Sequence, residues 1–427
     1  MLRKNLWKKH ITSLLAGGYL LLNTAAVFAA PVELSLDESI ELALKNNPAI
    51  KIAQADKEKA SWGINEAKSS KQPSVTLKHT SSRADNGVSA VGNDFSNTVN
   101  LSLPIYTGGK TEGLIDQAKT NSQSVDLGLE KTKQQIKLDA TSGYFNVLQT
   151  RNLLEVSKQS VASLKAHLKN VQAQYYVGTV AKSDVLRSEV ELANAEQNLI
   201  KAQNAYDLAI SSLNNVIGLP LDSEIAIKDD LKYTKYNTSL DDSIKYALNN
   251  RPDAAQAKLA VDYAKQGVRV ANSGNKPTVS FNGNTGWSDK DFPGTEDNTW
   301  SLSVAASWNI FDSGATKAKV KQADFGVNKA NEQTKQTLDN IQLEVRQAYL
   351  NMNEAEKRID TSQVAVDKAE EDFKIAQVRY GAGVGTNLDV IDAQLALTQA
   401  KTNYIQAMYD YNTSKAKLEK AMGVAVK

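Results

Sequence analysis

Residues 111–174 read TEGLIDQAKTNSQSVDLGLEKTKQQIKLDATSGYFNVLQTRNLLEVSKQSVASLKAHLKNVQAQ. The stretch is rich in Ala, Lys, Gln and Glu and has almost no breakers, so it predicts helix from end to end. At ~1.5 Å per residue such a helix extends ~95 Å. A compact domain of this chain's size has no room for that rod. Helices of this length bury their apolar stripes against other long helices, in a coiled coil or a tube.

The surrounding chain is written twice. Leu36-Asp37-Glu38-Ser39-Ile40, Ala43-Leu44 and Asn46-Asn47-Pro48 return as Leu240-Asp241-Asp242-Ser243-Ile244, Ala247-Leu248 and Asn250-Arg251-Pro252, an offset of 204. Pro73-Ser74-Val75 meets Pro277-Thr278-Val279 at the same offset, and Gly109, Gly178, Asp184 and Gly218 meet Gly314, Gly383, Asp389 and Gly423 at 205. This is a tandem duplication of one long unit rather than a short solenoid repeat. It divides the chain into a first copy over 30–220, a linker over 221–239 and a second copy over 240–427.

Each copy ends in a helix with a seam. Val185, Leu192, Leu199, Tyr206 and Leu213 recur every seven residues, with Ser188, Ala195, Ala202, Ala209 and Val216 between them. The second copy repeats this with Val390, Leu397, Tyr404, Tyr411 and Leu418 against Ala393, Ala400, Ala407, Ser414 and Ala421. Large knobs alternating with small residues suit close helix–helix packing. A second row, Leu388, Ile391, Leu395 and Ile405, predicts neighbours on two sides of the last helix. An ordinary helical bundle explains the seams equally well.

Between the helices lie four segments of period two, at about 73–82, 95–106, 277–287 and 299–311. The clearest sets Trp300, Leu302, Val304, Ala306, Trp308 and Ile310 against Ser301, Ser303, Ala305, Ser307 and Asn309. Phe95, Val99, Leu101, Leu103 and Ile105 alternate with Ser96, Thr98, Asn100 and Ser102. An apolar face backed by Ser, Thr and Asn fits a barrel strand between lipid and water, although a half-buried soluble hairpin gives the same alternation. Trp300 and Trp308 share the apolar face ~26 Å apart along a strand. With tilt this is close to the separation of aromatic girdles, and Trp287 and Phe95 sit where an opposite girdle would be. Four strands cannot close a barrel, and open edges in lipid are costly. Two chains would supply eight strands around a filled interior; three would supply twelve around a lumen, which the polar face fits better.

The first 29 residues read as a secretory signal peptide: Arg3, Lys4, Lys8 and Lys9, an apolar run from Ile11 to Val27, then Val27-Phe28-Ala29 before the cut. The chain has 50 Lys+Arg against 48 Asp+Glu; without the four basic residues of the signal the balance is −2. No basic field is available to gather nucleic acid. There is no cysteine, hence no disulfide framework, thiolate or zinc cluster, and the two remaining histidines, His79 and His167, stand in unrelated contexts. No nucleophile–base set or metal-ligand spacing appears, so neither an enzyme nor a cofactor is expected. The rival to a channel is an exported coiled-coil structural or adhesion protein of the cell surface, which accounts for the long helices and the signal but not for the strands.

The order of short helix, helix, two strands, long helix, hairpin and helix, given twice, resembles the TolC-like outer-membrane factor family over essentially the whole mature chain. The paired hairpins carry most of the likeness: Tyr176-Val177-Gly178-Thr179-Val180-Ala181-Lys182-Ser183-Asp184-Val185 and Tyr380-Gly381-Ala382-Gly383-Val384-Gly385-Thr386-Asn387-Leu388-Asp389-Val390-Ile391-Asp392-Ala393. The resemblance implies a mainly α chain that gives four strands to a trimeric barrel in the outer membrane and long helices to a tube across the periplasm. It implies export by a tripartite efflux pump or type I secretion system, through a periplasmic adaptor and an inner-membrane pump. The hairpins would form the inner tip, with adaptor docking near Gly178, Val185, Leu186, Gly383, Val390 and Ile391. Asp389 and Asp392 match the acidic ring of the entrance; from spacing alone they read as solvated helix-start carboxylates. Tyr380, with Ser183 and Asp184, matches the latch. The sequence departs from the pattern at Gly385, where some members carry a basic latch residue, leaving Arg379 or Arg187 to supply a cation.

Overall fold

The structure, a computed structural model, describes residues 32–85 and 92–426; the signal segment expected over 1–29 lies outside them. In chain order the first copy holds β1 (Val32–Leu34), α1 (Leu36–Asn46), α2 (Pro48–Ser69), β2 (Ser74–Ala84), β3 (Gly92–Tyr106), α3 (Lys110–Tyr176) and α4 (Lys182–Ile217). The linker carries β4 (Ile225–Ile227). The second copy holds α5 (Leu240–Asn250), α6 (Pro252–Asn272), β5 (Thr278–Asp289), β6 (Asp297–Ser307), α7 (Ala315–Gly381) and α8 (Asn387–Met422).

The duplication is kept residue for residue in the long helices. α3 and α7 have 67 residues each and α4 and α8 have 36, and every terminus is displaced by 205. A helix of that greater length spans ~100 Å and the shorter one ~54 Å. The shorter pair therefore flanks only half of the rods, and α2 and α6 flank the other half. Near the sheet the wall runs α2, α3, α6, α7; away from it the order is α4, α3, α8, α7. The second apolar row of α8 is only half covered, with Ile391 and Ile405 buried but Leu388 and Leu395 44% and 47% exposed. This helix lies between α3 and α7 and buries Ile391, Ile405 and Met408 besides its seam, whereas α4 lies at an edge of the wall.

The sheet is antiparallel throughout, in the order β2-β3-β5-β6. Its register puts Val75, Leu101, Gly283 and Leu302 in one cross-strand row and Leu77, Val99, Thr285 and Trp300 in the next. The polar rows alternate with them: Ser74, Ser102, Asn282 and Ser303, then Thr76, Asn100, Asn284 and Ser301. One face is thus mostly apolar, interrupted by Gly283 and Thr285 and ending in a row with His79, Asn97 and Asn298, and it is largely uncovered, with Trp300 74%, Leu302 64% and Val304 66% exposed. Trp287, Trp300 and Phe95 stand toward the loop end of this face, where Phe292 packs edge-on against Phe95.

The last strand is shorter than its alternation suggests. β6 stops at Ser307, so Trp308, Ile310 and Phe311 lie beyond it. The indole N–H of Trp308 donates to the Asn275 carbonyl at 3.2 Å, and the Asp312 carboxylate accepts the N–H groups of Gly314 and Thr316 at 3.0 and 2.7 Å. These bonds turn the chain out of the sheet and into α7 while the apolar alternation runs on. Trp308 consequently marks the helix-side end of the apolar face, opposite the loop-end aromatics.

Midway along the rods β1 pairs in parallel with β4, fastening the linker to the first copy. Tyr144 donates to the Asp229 carboxylate at 2.6 Å, and Arg151 donates to the Ile227 and Asp229 carbonyls. Duplicated positions do duplicated work here. The Asn47 amide donates to the Val216 carbonyl at 2.9 Å, and Arg251, its counterpart, donates to the Ala421 carbonyl at 2.8 Å. The buried apolar groups form separate seams: α1, α3 and α4 in one copy, α5, α7 and α8 in the other, and a third at the hairpin turns.

Candidate functional site at the hairpin tip

Each hairpin closes through five residues, 177–181 and 382–386. Gly178 has φ 79° and Gly383 φ 73°, with open space where a Cβ would stand. The left-handed backbone, rather than crowding, selects glycine at both. The turns are copies of one another. Thr179 N–H donates to the Gln174 carbonyl at 2.9 Å, and Val384 N–H to the Arg379 carbonyl at 3.0 Å, the six-to-one bond that ends a helix on a left-handed residue.

The two starts differ. Thr386 caps α8 by accepting from Asp389 N–H at 3.1 Å, and the Asp389 carboxylate accepts from Thr386 N–H at 2.9 Å. This reciprocal pair satisfies two otherwise free helix donors. The Thr386 bonds, with a smaller contribution from nearby Arg379, hold the Asp389 carboxyl below its ordinary range. Asp392 is exposed one turn further on, on the same side of the helix. Gly385 is tightly placed: a Cβ there would stand 3.0 Å from the Tyr380 backbone nitrogen and 3.1 Å from Arg379 Cβ. Any side chain at this position would have to push the turn back by a few tenths of an ångström, and Arg379 is the cation beside Asp389.

The hairpins meet over Val171, Val185, Ala376, Tyr380, Val390 and Ala393. Within that apolar seam lies a polar knot that sequence reasoning missed. Asn387 Nδ2 donates to the Asp184 carbonyl at 3.1 Å, which fixes its amide so that Oδ1 accepts. That oxygen accepts from Ser188 Oγ at 3.1 Å and meets His167 Nε2 at 2.7 Å, placing the imidazole proton on Nε2. Burial pushes the His167 imidazole below its ordinary range, and the Asn387 bond opposes this. Neither residue stands out in the sequence, because a lone His on one helix and an Asn at the start of another become partners only when α3 meets α8.

The expected latch is not made within the protomer. Tyr380 packs its ring edge-on against His167, with centroids 5.0 Å apart, and its buried hydroxyl has no hydrogen-bond partner among the described residues. Burial, and secondarily the Asp184 charge, raise its phenol above the usual value. Ser183 is exposed, and neither it nor Asp184 receives the hydroxyl. Three of the docking candidates are core rather than surface: Val390, Ile391 and Val185 are 1%, 2% and 9% exposed. Heptad knobs at a tight turn must fill the seam. The apolar groups that do face outward are Leu186 together with Tyr176, Val177 and Val384.

The family model for outer membrane efflux proteins matches residues 39–219 and again 243–424. The chain belongs to that family. Among similar proteins, outer membrane protein TolC of Escherichia coli (strain K12) is 26% identical over 396 residues, covering 88% of this chain and 80% of that one. The alkaline protease secretion protein AprF of Pseudomonas aeruginosa is 23% identical over 449 residues, covering 97% and 89%. The Campylobacter jejuni CmeC outer membrane channel has the same fold, with a TM-score of 0.80 at 21% identity over 91% of this chain and 85% of that one. As a member of the outer membrane efflux protein family, the chain is a channel component of an efflux or secretion system, seated in the outer membrane and reaching into the periplasm. The family is one of transport proteins, and a cell-surface adhesin is set aside.

Proposed function

We propose that three copies of this chain close one continuous tunnel, and that its hairpin tip is the periplasmic entrance, engaged by an adaptor of an inner-membrane pump. The observation that carries the reading is the pair of open flanks on the protomer. β2 and β6 are both edge strands, and the same flanks of the wall end in α2 and α4 on one side and α7 on the other. Open strand edges in lipid leave backbone groups unsatisfied at several kcal/mol each, so the flanks must be joined. Twelve strands leave a lumen for the polar rows, whereas eight would pack them shut.

The duplication supports the manner of joining. Within the protomer α3 meets α6 near the sheet and α8 near the tip; one repeat onward, α7 meets α2 and α4 of the neighbouring protomer. Exposed apolar groups already stand on both partners, Val190, Ile200 and Leu208 on α4 and Leu343, Leu350, Val364 and Val378 on α7. Asp389 and Asp392 then ring the entrance, and Leu186, Tyr176, Val177 and Val384 face the adaptor around Gly178 and Gly383. Native mass measurement of the purified protein in detergent tests the ring: a trimer is expected, and a stable monomer with full β content overturns it.

A further inference from the structure

Two side-chain hydrogen bonds cross directly from α3 to α8 inside the protomer. His167 meets Asn387 at 2.7 Å near the tip, and Gln149 donates to Gln406 at 2.6 Å higher on the rods. Both pairs are neutral. The repeat offset of 205 carries α3 onto α7 and α8 onto α4, so the residues at the equivalent positions between protomers follow from the sequence alone. His167 becomes Asp372 and Asn387 becomes Lys182; Gln149 becomes Glu354 and Gln406 becomes Lys201.

Both neutral pairs are therefore replaced by an acid on α7 and a lysine on α4. All four side chains are exposed in the protomer. Asp372, Lys182 and Lys201 make no ion pair there among the described residues, and Glu354 pairs only with Arg358 on its own helix. A chance surface charge distribution has no reason to put opposite charges at both positions and on the matching helices. The extra length of Lys over Asn more than makes up for the shorter reach of Asp compared with His, so the flexible tip pair can span the same gap. The ring contact of His167 with Tyr380 likewise maps to Asp372 and the exposed Tyr175 of α3, whose phenol is free to donate.

We infer that the seam between protomers is closed by ion pairs where the seam within each protomer uses neutral hydrogen bonds, Asp372 to the neighbouring protomer's Lys182 being the latch of the resting tip. The inference rests on the ring proposed above. It gives the tip a cation at Lys182, in place of the basic residue that Gly385 cannot supply. It also sets the two seams apart physically. The inner one is neutral and indifferent to salt; the outer one, formed by charges on the protomer surface, is weakened by salt and open to competition from a docking protein's charges. Glu354 and Lys201, ~27 Å further from the tip along α7, hold the rods together when the latch parts.

The chain has no cysteine, which makes the test direct. Full-length protein carrying Asp372→Cys and Lys182→Cys is treated with a short bis-maleimide, beside a control carrying Ile52→Cys and Lys329→Cys. The control pair is the repeat image of the Gln256–Ser124 contact between α6 and α3. Covalent dimers and trimers are expected from both. Cross-linking of the control alone keeps the ring and overturns the latch; failure of both overturns the ring and the latch with it. Single-channel recording supplies the functional arm. Asp372→Lys and Lys182→Asp should each raise resting conductance several-fold, and the double swap should return it to near the parent's. A swap that conducts like the single variants overturns the inference.

Discussion

Asn387 joins three elements through one amide: α3 by His167, α4 by Ser188 and the Asp184 carbonyl, and α8 by its own position at the first turn. Truncating it leaves the buried His167 Nε2–H without its partner, which costs about 1–3 kcal/mol, while Ser188 keeps its bond to the Asp184 carbonyl at 2.9 Å. Asn387→Ala should therefore loosen the hairpins from one another, and limited proteolysis within 176–186 should become several-fold faster. Tyr380→Phe should behave oppositely. Its hydroxyl is buried and unpaired, so removing it is expected to leave tip protection unchanged or improved, whereas a hydroxyl latch would require protection to fall. His167 gives the seam a pH dependence with a definite sign. The docked imidazole is held neutral below its ordinary value, and an undocked one takes up its proton near pH 6.5. Docking is thus fully stable above that pH and weakens as pH falls below it. Tip proteolysis should accelerate between pH 7.5 and 5.5 in the parent and stay flat in His167→Gln.

At the scale of elements, the sheet separates two environments by alternation alone. Trp300 and Val304 stand on the uncovered apolar face, and Ser303 stands in the polar row with Ser74, Ser102 and Asn282. Arginine on the lipid side of a barrel costs ~2–4 kcal/mol near the midplane and less toward the rim. Val304→Arg and Trp300→Arg should block assembly into the membrane fraction, while Ser303→Arg assembles and alters conductance. Equal loss from both faces would reverse inside and outside. The period-two pattern placed every strand, yet it carried the last one too far. Alternation in Trp308 and Ile310 continues through residues that have already left the sheet, because bonds to Asn275 and the Asp312 cap lie outside any local pattern. The long helices were readable from composition and heptads; α4 carries the same extra apolar row as α8, in Leu186, Val190 and Ile200, so only the packing shows that α8 is the one covered on both sides within the protomer.

For the whole molecule, the proposed ring would bring the same acidic pair to the entrance three times. Asp389 serves as a helix cap and is ionised more readily than an ordinary aspartate, so its capping role and its charge coexist. Six carboxylates at one narrow neck favour cations and bind multivalent ones. The double variant Asp389→Asn, Asp392→Asn, chosen to preserve an acceptor for the cap, should lose cation selectivity and multivalent block in planar bilayers without loss of the trimer. Unchanged reversal potentials would leave both groups as solvated helix-start residues.

The sequence by itself determined the duplication, the lengths of the rods, the faces of the strands and the glycine turns, because each is written in local periodicity or in backbone conformation. The count of four strands, which cannot satisfy their own edges in lipid, is also legible there and is what leads to the proposed ring. The tertiary structure alone decided what meets at the tip. Val185, Val390 and Ile391 are core there, Tyr380 holds no hydroxyl bond, and His167 and Asn387, 220 residues apart, share a proton contact. Such pairs depend on the rotation of one helix about another. A heptad leaves that rotation free until neighbouring helices fill both sides.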